Sequence, residues 1–113
     1  MSISPLGRRN LSYKCPANFE KFWFGCAYYP EHWDEATAKD DPRLMREAGM
    51  NIVRMAEFAW ARMEPQENKY DFSVFDKAIE RLRKEGISAI LCTPTATPPR
   101  WLTMKYPNIL RVN

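Results

Sequence analysis

The stretch SVFDKAIERLRKEGISAILCT, Ser73 to Thr93, decides the fold class because it combines one amphipathic helix with one apolar strand. Apolar residues spaced at i, i+3, i+4 and i+7 predict a single buried helix face, formed by Phe75, Ala78, Ile79 and Leu82. We expect this helix to begin at Ser73, which would form a capping-box pair with Asp76, and to end at a left-handed Gly86. The apolar run Ile87–Thr93 then predicts a buried strand.

Two further predicted strands precede this stretch, and one short helix follows it. Apolar runs predict buried strands over Phe22–Tyr29 and Met50–Ala56. After the third strand, the segment TPTATPPRWL, Thr93 to Leu102, ends in a short helix predicted from Pro98 through Lys105. We expect its prolines and threonines to build a rigid loop wall, with direct substrate contact as the alternative.

The first helix, within residues 35–48, has two possible starts. Asp41 and Pro42 can serve as its N-cap and first residue. If the helix begins near Asp34 instead, Pro42 lies inside it and costs about 3 kcal/mol or forces a kink. Gly49 ends the helix in either case.

The order β-α-β-α-β-α with continuous apolar strands predicts an α/β fold with a parallel sheet covered by helices. No Gly-x-Gly-x-x-Gly follows a strand, so a (β/α)8 TIM barrel is favoured over a dinucleotide-binding sheet. A closed barrel needs roughly 200–250 residues, and the chain has 113. Either the chain is part of such a barrel, with about three strand-helix units over residues 22–113, or it belongs to a smaller open α/β fold. A mobile basic extension is expected over residues 1–21.

Charge and cysteine usage exclude several classes of protein. The net charge of +3 comes from residues 1–21, where four cations face one anion, so the remaining residues are balanced and predict no nucleic-acid binding. No apolar run is long enough to span a membrane or resembles a signal peptide. Cys26 and Cys92 lie in apolar runs and are expected to be buried free thiols, which indicates a cytoplasmic protein. Two thiols without nearby ligands predict no metal site.

Polar and aromatic residues follow the predicted strands, where parallel α/β proteins carry their chemistry. Glu31 and His32 follow the first strand, and Glu57 and Trp60 follow the second. Carboxylates beside aromatic rings suit a sugar. Glu31 and Glu57 are either a retaining glycosidase pair, at roughly 5–5.5 Å, or ordinary loop acids. His32 is either an acid/base group or a structural residue.

Arg54 lies inside an apolar strand, where an unpaired charge costs several kcal/mol, so it should have a carboxylate partner. Either it forms an outward salt bridge to the next helix or it points into a barrel interior. Trp60 and Trp101 are either platforms for a sugar ring or core residues.

Four segments carry a resemblance to a known family: FGCAYYPEHW (24–33), RLMREAGMNIVRMAEFAWARMEP (43–65), YDF (70–72) and TPTATPPRWL (93–102). In this order and spacing they resemble the N-terminal part of the β-galactosidases of glycoside hydrolase family 42. The resemblance implies a (β/α)8 barrel that hydrolyses terminal β-galactosides with retention, through a galactosyl-enzyme intermediate and without a cofactor. It also implies homo-oligomeric full-length proteins.

The resemblance implies that no catalytic residue lies in this chain, because the family's acid/base and nucleophile glutamates end the fourth and seventh strands. It implies substrate-binding or supporting roles for five residues, namely Arg54, Glu57, Trp60, Glu31 and His32, with Arg54 next to the nucleophile. We therefore expect an inactive fragment of a β-galactosidase. The alternative is a non-catalytic sugar-binding or assembly piece of a split or truncated glycosidase. Three positions depart from the family pattern: Ala38, Pro42 and Asn68.

Overall fold

The computed structural model describes residues 21–110, so the predicted extension lies, apart from Lys21, outside the described residues. The strands are β1 (Gly25–Ala27), β2 (Ile52–Met55) and β3 (Ser88–Leu91). The α-helices are α1 (Glu35–Glu47), α2 (Trp60–Met63), α3 (Ser73–Lys84) and α4 (Arg100–Lys105), and 3-10 helices cover Pro30–His32 and Pro107–Ile109. None of the helices in this part of the chain has the length and hydrophobicity needed to cross a bilayer.

The three strands form one parallel sheet in the order β1-β2-β3, which confirms the predicted α/β architecture. In the register, Gly25 pairs with Ile52 and Arg54 with Ile90. Gly25 is required at its position because a Cβ there would lie 1.6 Å from the carbonyl oxygen of Ile52. The missing Cβ of Gly25 therefore allows β1 and β2 to approach closely.

Helices pack on one face of the sheet and form the core with its central strand β2. This covered face carries Val53 and Met55, which are 1% and 0% exposed. They pack with Phe75 and Leu82 of α3. The predicted helix face is confirmed, since Phe75, Ala78 and Leu82 are buried and Ile79 packs against them.

The opposite face of the sheet is open over the described residues. Side chains alternate along a strand, so the register assigns to this open face Gly25, Ala27, Ile52, Arg54, Ser88 and Ile90. Every residue of β1 and β3 is exposed. The prediction of fully buried strands is therefore wrong for β1 and β3, and the prediction of a buried thiol is wrong for Cys26, which is exposed. The physical reason is that β1 and β3 are edge strands, so even side chains on the same face as Val53 and Met55, such as Cys26 and Leu91, stay exposed.

The start of α1 settles the two alternatives for the first helix. Asp34 is the N-cap, and its Oδ1 accepts a hydrogen bond of 2.7 Å from the backbone N–H of Thr37. The start at Asp41 and Pro42 is therefore wrong, and Pro42 lies buried inside the helix. The Asp34 cap satisfies an N-terminal donor that would otherwise be unpaired, and burial of the Pro42 ring offsets part of its cost.

The other helices differ from prediction mainly at their ends. Helix α3 begins at Ser73 as predicted, but the capping box is wrong: the N-cap is Phe72, and Asp71 Oδ1 accepts from the Ser73 backbone N–H instead. The left-handed glycines are confirmed at Gly49 and Gly86. Helix α4 begins at Arg100 rather than Pro98, and the short α2 has no counterpart among the predicted helices.

Candidate functional site

Three polar side chains meet at the carboxyl edge of the sheet. Tyr29 follows β1, Arg54 lies in β2, and Glu57 follows β2. Glu57 Oε1 accepts hydrogen bonds from the Tyr29 hydroxyl at 3.0 Å and from the Arg54 guanidinium at 2.7 Å. We call these three residues the strand-end cluster. The expected carboxylate partner of Arg54 is thus Glu57, in the loop after its own strand, rather than an acid on the next helix.

The electrostatics of the strand-end cluster keep it charged. Hydrogen bonds from its own backbone N–H, from the Tyr29 hydroxyl and from Arg54 lower the pKa of Glu57. The charge of Glu57 in turn raises the pKa of Arg54. Glu57 Oε2 is buried and accepts no hydrogen bond from residues 21–110. The cluster therefore holds an ion pair whose second carboxylate oxygen has no hydrogen-bond donor among these residues.

Two aromatic rings lie next to Tyr29 of this cluster. The Tyr29 ring stacks on His32, with centroids 5.6 Å apart, and lies 6.0 Å from Phe58. The His32 backbone N–H also donates to the Tyr29 carbonyl. Of the residues singled out from the sequence, the structure thus brings together Arg54, Glu57 and His32. Tyr29 and Phe58 were not singled out for a role, although both flank the quoted acids in the sequence.

Glu31 lies in different surroundings. Its side chain lines a cleft bounded by the 3-10 helix Pro30–His32, α1 and α3, and Glu57 does not line this cleft. Both carboxylate oxygens of Glu31 are buried and accept no hydrogen bond from the described residues. The structure therefore does not support the arrangement of Glu31 and Glu57 as a catalytic pair in one site.

Trp60 lies apart from both the strand-end cluster and Glu31, in a hydrogen-bonded group centred on Glu64. Its indole N–H donates to Glu64 Oε2 at 2.8 Å, and the Asn68 backbone N–H donates to Glu64 Oε1. The indole N–H of Trp101 donates to the Glu64 carbonyl oxygen at 2.8 Å. The Trp60 hydrogen bond is the main cause that lowers the pKa of Glu64. Glu64 was missed from the sequence, although its position four residues after Trp60 is one that faces it on a helix.

A resident metal has no ligand set in the described part of the chain. No group of three or more His, Cys, Asp or Glu residues there is arranged to hold a metal ion. The hydrogen-bonding groups at the sheet edge are instead an ion pair, a phenol and flanking rings, which can orient a polar neutral group.

Known proteins similar to this chain share one activity in their names. The model of glycoside hydrolase family 42, described as β-galactosidase, matches residues 27–113. The β-galactosidase LacZ of Heyndrickxia coagulans is 51% identical over 94 residues, which are 83% of this chain and 14% of that protein. A β-galactosidase of Thermus thermophilus is 51% identical over 79% of this chain and 14% of its own length.

Solved structures extend this similarity to the fold. The crystal structure of a β-galactosidase from Bacillus circulans sp. alkalophilus matches with a TM-score of 0.79 and 42% identity. The match covers 86% of this chain and 14% of that one. The parallel sheet with its helices is therefore part of a TIM barrel, as predicted, and the chain spans about 14% of the relatives it matches.

Proposed function

The chain belongs to glycoside hydrolase family 42, the β-galactosidase family, and from this premise we propose that it supplies the N-terminal part of a retaining β-galactosidase barrel. Residues 22–113 would contribute the first strand-helix units, and residues 1–21 a basic extension. The substrate is a terminal β-galactoside. The acid/base and nucleophile glutamates come from later strands of the complete barrel, so the isolated chain does not hydrolyse galactosides.

The observation that carries this proposal is the strand-end cluster. Active sites of (β/α)8 barrels are built at the carboxyl ends of the strands, and Tyr29, Arg54 and Glu57 meet at that edge. An Arg54 held by ionised Glu57 keeps a positive charge on the open face, toward the barrel interior. That charge favours an ionised nucleophile over its protonated form. His32 and Trp60 are proposed to complete the wall of the substrate pocket.

The proposal also includes the cellular location and the oligomeric state of the protein. We propose a cytoplasmic location, which is supported by the free thiols of Cys26 and Cys92. We propose a homo-oligomeric assembly for the full-length protein, on the basis of family membership alone.

A chimera tests the proposed function directly. Residues 27–113 replace the aligned segment of the β-galactosidase LacZ of Heyndrickxia coagulans, and kcat/KM is measured with a nitrophenyl β-galactoside. We expect an active chimera, in which Arg54→Ala lowers kcat/KM by about 100-fold or more because a charge beside the nucleophile is lost. Arg83→Ala, an exposed arginine of α3, is the matched control and should leave the rate unchanged. A folded chimera without activity would contradict the proposal.

The open face favours a second candidate, a non-catalytic assembly piece that completes a barrel supplied by another chain. Exposed edge strands present unpaired N–H and C=O groups to an incoming strand, and β1 and β3 are both such strands over the described residues. Mixing this chain with the relative that lacks the aligned segment tests it. Activity recovered with a stable complex favours assembly between chains, whereas activity seen only in the covalent chimera rejects it.

A further inference from the structure

The cleft that contains Glu31 has no role in the proposed catalytic function. It lies between the 3-10 helix Pro30–His32, α1 and α3, and its volume is about 270 Å³. Its lining combines apolar groups, including Ala38 and Ala78, with five charged residues: Glu31, Glu35, Arg62, Lys77 and Arg81. This separates it from the strand-end cluster, whose members Arg54 and Glu57 do not line it.

The cleft lacks hydrogen-bond donors for the carboxylate of Glu31. Both Glu31 oxygens are buried without a donor among residues 21–110, and a buried acceptor without a donor is costly. Tyr28 also lines the cleft, but its hydroxyl donates to Asp41 at 3.1 Å. Burial and the Asp41 charge raise the pKa of Tyr28, so its proton stays in that bond.

The charges around Glu31 restrict what can supply these donors. Arg81 is already paired with Glu35, and Arg62 and Lys77 line the same cleft. These cations oppose the binding of a metal ion, while Glu31 and Glu35 oppose the binding of a small anion. A neutral molecule with several hydroxyl groups meets neither obstacle, because its O–H groups donate to Glu31 and its oxygens accept from Lys77.

An exposed aromatic ring adds a surface for the apolar side of such a molecule. Trp33 lines the cleft and is 55% exposed. An indole ring offers a large rigid surface on which the C–H face of a pyranose can stack. The cleft thus combines a stacking ring with buried acceptors and cationic donors.

We propose that this cleft is a second saccharide-binding site for a neutral hexopyranoside, separate from the strand-end cluster. The sugar stacks on Trp33, donates hydroxyl hydrogen bonds to Glu31, and accepts from Lys77 or Arg62. The site is independent of the proposed function because it involves no residue of the strand-end cluster.

An NMR titration of the full chain with methyl β-D-galactopyranoside tests the site. We expect shifts of the Trp33 indole and of the backbone amides of Ala38, Val74 and Ala78. Glu31→Gln should weaken binding about tenfold, as expected when a charged acceptor becomes neutral. Trp33→Ala should do the same, and because Trp33 is largely exposed this variant retains the fold. Asp40→Asn, an exposed acid of α1 that does not line the cleft, is the matched control and should bind normally.

Other outcomes overturn the second site. Unchanged spectra up to about 100 mM sugar would mean that water alone satisfies Glu31. Shifts that persist in both cleft variants would exclude the cleft. Shifts confined to the strand-end cluster and lost in Glu57→Gln would reject the cleft while supporting the proposed function. Equal shifts with inorganic phosphate would show that the cleft binds ions rather than sugars.

Discussion

The two faces of the central strand β2 differ in burial. On the covered face, Val53 and Met55 are almost completely buried against α3. On the open face, Arg54 pairs with Glu57, and Ile90 is 50% exposed. An apolar strand sequence therefore indicates burial in the complete barrel, including burial of a face that this part of the chain leaves open. The open face fits its place as the inner wall of a TIM barrel of which the chain forms part.

The largest change in stability is expected when one side chain is removed from each face of the sheet. Met55→Ala should lower the free energy of unfolding by about 2–5 kcal/mol, because it leaves a cavity in the core. Ile90→Ala, which removes a similar volume from the open face, should cost less than about 1 kcal/mol. Urea unfolding of both variants measures the difference. Equal losses would mean that the open face is covered in solution.

A smaller effect is expected where β1 meets β2 on the open face. Gly25→Ala should destabilise the chain by about 1–3 kcal/mol, because the new Cβ collides with the Ile52 carbonyl and forces the strands apart. Ser88→Ala changes a small residue on the other edge strand and should be neutral within about 0.5 kcal/mol. Urea midpoints and the amide shifts of β1 report the change. A stable Gly25→Ala variant with unchanged β1 shifts would contradict the close approach.

The smallest effect concerns acid sensitivity of the loops beside the sheet. The pKa of Glu64 is lower in the folded chain than in the unfolded chain. Ionised Glu64 therefore stabilises the fold above the unfolded value of about 4.3, and this contribution is lost as the pH falls through the folded pKa. Trp60→Phe removes the indole N–H that lowers this pKa. We expect the variant to lose less stability than the parent chain between neutral and acidic pH.

The measurement compares urea midpoints of the parent and of Trp60→Phe from pH 7 down to about pH 3. Glu64→Gln, which cannot ionise, serves as the reference for complete loss of this titration. Parallel pH profiles for all three proteins would show that Glu64 does not contribute to acid sensitivity. The covered face, which holds only apolar side chains, should not contribute either.

Local features of the fold could be predicted from the sequence. The apolar face of α3 was predicted residue by residue, and Gly49 and Gly86 adopt the positive φ expected of helix ends. These features depend on neighbours within a few positions along the chain. The quoted segments also sufficed to identify the family, because each has a defined spacing. Helix starts were harder, since the cap at Asp34 and the missing capping box at Ser73 depend on which of several nearby acids reaches the backbone.

The candidate site could be predicted only in part. The sequence indicated that Arg54 needs a carboxylate, and Glu57 provides it. It did not reveal that Glu31 lies apart from Glu57, because the two acids follow neighbouring strands and only the path of the 3-10 helix directs Glu31 toward α3. Glu64 was likewise invisible as the residue that joins Trp60 and Trp101, since the latter contact spans 37 positions.

The sequence by itself determined the order of the three strands and of the helices α1, α3 and α4, the side of α3 that packs inward, and the family. Tertiary structure alone decided which strand faces are open, which acid joins Arg54, and which acid is left buried in the cleft. The reason is that periodicity and turn chemistry act over a few bonds. Burial and hydrogen-bond partnership depend instead on segments distant in the chain that approach only when the sheet forms.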